Sequence, residues 1–81
     1  MSRFDETQVA QWLDCRGMLC PMPIIELSKV ARRVPEGTLL GLTGDDPALG
    51  GDLRAWTQSN RHSLLHIEHV GPVCRAVIQI C

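Results

Sequence analysis

An 81-residue chain with a formal net charge of -1 holds one domain and one core, and it offers no broad basic surface for nucleic acid. Apolar residues make up 44% and charged residues 21%, a globular balance that excludes a disordered chain. The opening "MSRFDETQ" lacks the apolar stretch of a secretory signal, and no apolar run reaches the roughly 18 residues that suggest a membrane span. Residues 1–8 read as a flexible tail on a single domain of residues 1–81, and the chain as a cytoplasmic protein, monomeric on its own.

"VAQWLDC", Val9 to Cys15, has strand character, with Val9, Gln11 and Leu13 on one face and Trp12 on the other. Gly17 breaks the run. "PMPIIELSKVARRV" predicts a helix from about Pro21 to Arg33, with Pro21 at the first helical position, where its missing N–H costs nothing. Ile24, Leu27, Ala31 and Val34 form its buried stripe. "TLLGLTG" predicts a second strand. "DDPALGGDLRAWTQSN" predicts a second helix with Asp46 as the N-cap, Pro47 behind it, and Leu49, Leu53 and Trp56 on one face. "HSLLHIEHV" and "VCRAVIQIC" predict an antiparallel hairpin around Gly71-Pro72, with Cys74, Ala76, Ile78 and Ile80 alternating onto one face. His62 and His66 are expected to share a strand face. The order strand, helix, strand, helix, strand, strand gives an α/β (α+β) two-layer sandwich: two helices on one face of a four-stranded mixed sheet, with the first two strands parallel.

Four cysteines, at 15, 20, 74 and 81, need a chemistry. Without an export signal a disulfide framework is disfavoured. The spacings contain no C-x-x-C, so no metal is expected. Cys20 falls between a glycine turn and the start of a helix. The positive end of the helix dipole favours a thiolate there, so the thiol is expected to have a lowered pKa. Pro21 and Pro23 lack N–H groups, which leaves the donors of Met22 and Ile24 to face the sulfur, and Arg16 adds positive potential. Such a thiol can attack a persulfide or disulfide and pass sulfur on. The bland alternative is a cap-position residue partly buried under the loop. Cys74 is expected in the core. Cys15 is either a second thiol that can resolve Cys20 or an inert end-of-strand residue.

The residues "LDCRGMLCPMP" from Leu13 to Pro23, with Lys29 nine positions after Cys20, resemble the signature of the TusA (SirA-like) sulfur carriers, with its Cys-Pro-x-Pro element. "DDP" at Asp45 to Pro47, "DL" at Asp52-Leu53, Trp56, His62 and "LL" at Leu64-Leu65 continue the pattern, so the resemblance covers residues 13 to 80. It implies a βαβαββ sandwich like the C-terminal domain of a translation initiation factor. It implies Cys20 as the sulfur-bearing residue, supported by Gly17, Pro21, Met22 and Pro23, with no cofactor beyond a transient persulfide. The implied partners are a cysteine desulfurase or rhodanese-type donor and a downstream acceptor protein, serving tRNA thiolation, cofactor sulfuration or sulfur oxidation. A carrier of this kind is a co-substrate without independent turnover.

The sequence departs from the family pattern at Met18, Leu19 and Met22. It also has Arg61 where a glycine usually precedes His62, and Asn60 is expected to take the left-handed conformation instead. An apolar rim of Met18, Leu19, Met22 and Ile25, flanked by Arg16, Lys29 and Arg32, is a candidate partner surface. Packing of Met18 and Leu19 against the sheet edge is the alternative. Two other functional readings stand beside the carrier: a redox switch or metal-binding module using Cys15 and Cys20, and a regulatory interaction domain.

Overall fold

The computed structural model describes residues 8–81, and residues 1–7 of the expected tail lie outside that range. The elements run β1 (Val9–Cys15), α1 (Met22–Ala31), β2 (Leu39–Gly44), α2 (Leu49–Ser59), β3 (Ser63–Val70) and β4 (Val73–Gln79). The sheet order is β1-β2-β4-β3. β1 and β2 are parallel, while β4 is antiparallel to both β2 and β3. This is the expected mixed four-stranded sheet and two helices.

One core joins the layers. Leu27 of α1 and Leu49 and Leu53 of α2 pack with Leu40 and Leu42 of β2 and Cys74, Ala76 and Ile78 of β4. The alternation read from β4 is therefore the one the core uses. A hydrogen bond from Trp56 Nε1 to Ser28 Oγ, 3.0 Å long, ties the helices together. On the other face of the sheet the Trp12 ring lies over Gly41, where a Cβ would collide with it. The Arg75 guanidinium stacks on that ring, 4.3 Å from its centroid.

Four expectations change. Pro21 is the cap residue of α1 rather than its first helical residue, and the helix stops at Ala31, because the Arg33 N–H closes a tighter turn onto Val30 O. Asp46 is not the cap of α2. Ala48 holds that position, and Asp46 instead caps the turn before it, accepting from the Ala48 N–H at 3.0 Å. His62 and His66 do not share a face. A register shift between Leu64 and His66 leaves His62 against Trp56, ring centroids 4.9 Å apart, while His66 sits opposite Val77 in the row that Trp12 and Gly41 occupy.

Finally, the left-handed residue after α2 is Arg61, at φ 60, and not Asn60, at φ -101. A side chain in that region is disfavoured by about 1 kcal/mol or more relative to glycine. Arg61→Gly is therefore expected to raise stability by about 1 kcal/mol, read as a higher urea midpoint at unchanged slope. An unchanged or lower midpoint would contradict this account of the turn.

Candidate functional site

The loop between β1 and α1 carries Cys20, and two acidic side chains from the β2–α2 turn hold it. Gly17 takes φ 83, which lets the chain reverse after β1 and points its N–H at Asp45 Oδ1, 2.9 Å away. The Met18 N–H closes the turn onto Cys15 O at 3.1 Å. Asp46 Oδ2 then accepts the Cys20 N–H at 2.5 Å. These hydrogen bonds anchor the loop on both sides of its exposed tip, Leu19. The Cys20–Pro21 peptide is cis. Pro23 is buried beneath the site, and the Cys20 side chain is exposed.

The electrostatics reverse the expectation. The Cys20 thiol has its pKa raised, not lowered. The leading cause is its side-chain hydrogen bond to Asp52, followed by partial desolvation and the charges of Asp52 and Asp46. Each expected source of positive potential is engaged elsewhere. The Met22 N–H binds Leu19 O at 2.8 Å, and the Ile24 N–H binds Pro21 O at 3.1 Å. Arg16 is held in two 2.8 Å contacts by Asp14, its neighbour two positions back, and that pairing holds the Asp14 carboxyl well below the usual range. The thiol therefore answers to the acids around the start of α2 rather than to the dipole of α1. Asp46 itself is lowered by its hydrogen bonds from the Ala48 and Cys20 N–H groups. Its hold on the loop is thus present above the ordinary carboxylate range and is lost as pH falls through the lowered value.

The other expected residues separate. Cys15 is in the core at 1% exposure, and burial pushes its thiol up. Cys74 is likewise buried, as expected. Cys81 is exposed, and its backbone N–H donates to His62 Nδ1 at 3.0 Å. All four cysteines are free. Among the described residues no group of three or more His, Cys, Asp or Glu is gathered as metal ligands, and no helix is long and apolar enough to cross a membrane.

The proposed partner surface also divides. Leu19, Met22 and Ile25 are exposed at 73%, 44% and 40%, whereas Met18 packs against the core. Lys29 pairs with Glu26 at 3.3 Å. Arg32 does not flank Cys20. The 10 residues of α1 place it at the far end of the helix, roughly 15 Å away at about 1.5 Å per residue, where it lines a shallow cleft with Trp56, His62 and Cys81. The residues missing from the sequence-based site are Asp45, Asp46 and Asp52. The "DDP" and "DL" matches carry the signal, but the sequence offers Asp46 only as a helix cap and Asp52 only as part of the family pattern.

Residues 11–80 match the family described as Sulfurtransferase TusA. The chain belongs to that family. It is 34% identical over 67 residues to the putative sulfur carrier protein YrkI of Bacillus subtilis, an alignment that covers 83% of this chain and 89% of that one. It is 35% identical over 63 residues to the putative sulfur carrier protein YrkF of the same organism, covering 78% of this chain and 34% of the relative. A putative sulfur carrier protein of Aquifex aeolicus is 32% identical over 56 residues, covering 69% of this chain and 28% of the relative. The chain thus spans about a third or less of the last two proteins.

Proposed function

We propose that this chain is a sulfur carrier that receives a sulfane sulfur as a persulfide on Cys20 and relays it to an acceptor protein. The observation that carries the reading is the placement of Cys20: an exposed thiol on a loop fixed by Asp45 and Asp46, in a chain matched to the TusA family over residues 11–80. In the loading step Cys20 Sγ bonds to the outer sulfur of a donor persulfide. The donor S–S bond breaks, and the donor leaves as a thiol. Delivery repeats the exchange in the other direction, with an acceptor thiol in place of Cys20. There is no net oxidation, so the step requires no cofactor. A cysteine desulfurase or a rhodanese-type protein supplies sulfur in this form. The acceptors are proteins of tRNA thiolation, cofactor sulfuration or sulfur oxidation.

The exposed apolar stretch of Leu19, Met22 and Ile25 beside the thiol is the surface on which donor and acceptor dock. The redox-switch reading is weaker, since Cys15 is enclosed in the core while Cys20 is outside it.

Incubation with a sulfur donor is expected to add the mass of one sulfur atom in wild type and none in Cys20→Ser. A full adduct in that variant would move the function to another cysteine. Met22→Glu is expected to slow transfer to a protein acceptor several-fold while leaving the melting temperature unchanged, because the side chain is exposed. Wild-type transfer kinetics would remove the docking role.

A further inference from the structure

Sulfur exchange between two folded proteins demands more of a thiol than exposure. A small persulfide can meet it from many directions. A protein donor presents its sulfur on a mount of its own, so the two sulfurs meet only where both backbones put them, and a misplacement of about 1 Å can cost on the order of a hundredfold in rate. On the near side of the loop, Gly17 is tied to Asp45 Oδ1 at 2.9 Å and Met18 to Cys15 O at 3.1 Å. Beyond the exposed tip, Leu19, the backbone donors run short. Pro21 has no N–H, and the Met22 N–H turns back onto Leu19 O at 2.8 Å. It is the Cys20 N–H that crosses to another element, where Asp46 Oδ2 accepts it at 2.5 Å. A bond of this kind to a carboxylate is about twice as strong as one between neutral groups. The other oxygen, Oδ1, accepts the Ala48 N–H at 3.0 Å and braces the carboxylate against the entry of α2. Leu49, the first residue of that helix, is buried in the core. The chain of contacts thus runs from the core through Ala48 and Asp46 to the backbone of the thiol residue.

We propose that Asp46 is a positioning residue for sulfur transfer between proteins, holding the Cys20 backbone where Sγ meets the sulfur of a docked partner. This rests on the carrier reading above. Both Asp46 oxygens are taken by backbone donors, so the residue acts on the sulfur through Cys20 and not by touching it. Docking belongs to the separate apolar stretch of Leu19, Met22 and Ile25. In the step that Asp46 serves, Cys20 Sγ bonds to the outer sulfur of the donor persulfide and the donor S–S bond breaks. The electron pair stays on the donor sulfur, which ends with the proton that Cys20 gave up. A thiol and a persulfide become a persulfide and a thiol. A donor held rigidly in a complex needs the Cys20 mount for this step, and a freely diffusing one needs it far less.

The test compares Asp46→Asn with wild type in the whole chain. Asparagine keeps one acceptor oxygen, which the local turn to Ala48 takes, and sets an N–H donor against the Cys20 N–H. The variant therefore keeps the entry of α2 and loses the hold on Cys20. Loading is read by mass spectrometry from two donors, a rhodanese-type protein carrying a persulfide and glutathione persulfide. The maximal rate from the protein donor, divided by the rate from glutathione persulfide, is expected to fall by about tenfold or more. The protein-donor concentration for half-maximal rate is expected to stay the same. A lost negative charge speeds both reactions alike and cancels in the ratio. A ratio that does not fall overturns the proposal, as does a higher half-saturating concentration at an unchanged maximal rate, which would make Asp46 a docking residue. The wild type carries a second test that needs no variant: its Cys20 amide is expected to be protected from hydrogen exchange, and an amide that exchanges freely overturns the proposal. Sulfur added to Cys20→Ser would instead overturn the carrier reading, so the two failures are distinct.

Discussion

The Asp46 carboxylate is the constraint on which the site depends. One oxygen accepts from Ala48 at 3.0 Å and shapes the turn into α2, and the other accepts from Cys20 at 2.5 Å and fixes the loop that precedes α1. A single side chain thereby couples the entries of both helices. Since β1 and β2 are parallel neighbours, the two loops that follow them emerge at the same end of the sheet, which brings Cys20 and the α2 acids together. The sheet and its core hold this end in place through Leu42 and Leu49, both buried. The hydrogen bond from Trp56 to Ser28 joins the two helices farther along.

That geometry gives the thiol an acidic setting. A cysteine beside a helix N-terminus ordinarily gains reactivity from the dipole. Here the first-turn N–H groups are bound to Leu19 O and Pro21 O, and the nearest charges are negative. A carrier has reason to be built this way. It must travel between partners without losing its cargo or reacting with passing electrophiles, so a thiol that waits for its proton to be removed suits it better than a constantly ionised one. The exposed apolar stretch of Leu19, Met22 and Ile25 lies beside this thiol.

Much of the fold was legible because its signals are local. The Gly17 break ended β1 at Cys15, Gly71-Pro72 marked the hairpin, and the alternation of Cys74, Ala76 and Ile78 gave the buried face of β4. The bulge between Leu64 and His66 is not legible, since both members of the adjacent pair Leu64-Leu65 are apolar and neither marks the break in alternation. Cys20 itself stood out from its flanking prolines, and the acids were visible as "DDP" and "DL". What the sequence did not reveal was their direction. Asp46 lies 26 residues from Cys20 along the chain, and only the parallel pairing of β1 with β2 makes them neighbours. The Asp14–Arg16 pair was within reach of sequence reasoning, as the two residues are two apart at a strand end.

The most direct measurement of the central claim follows the sulfur itself. The chain is loaded from a persulfide donor carrying radiolabelled sulfur, freed of donor by gel filtration, and mapped by peptide before and after a fresh protein thiol is added. The account predicts that the label lies on the peptide containing Cys20 and leaves it for the added thiol. Label on the peptide containing Cys81, or label on Cys20 that no acceptor removes, would contradict it.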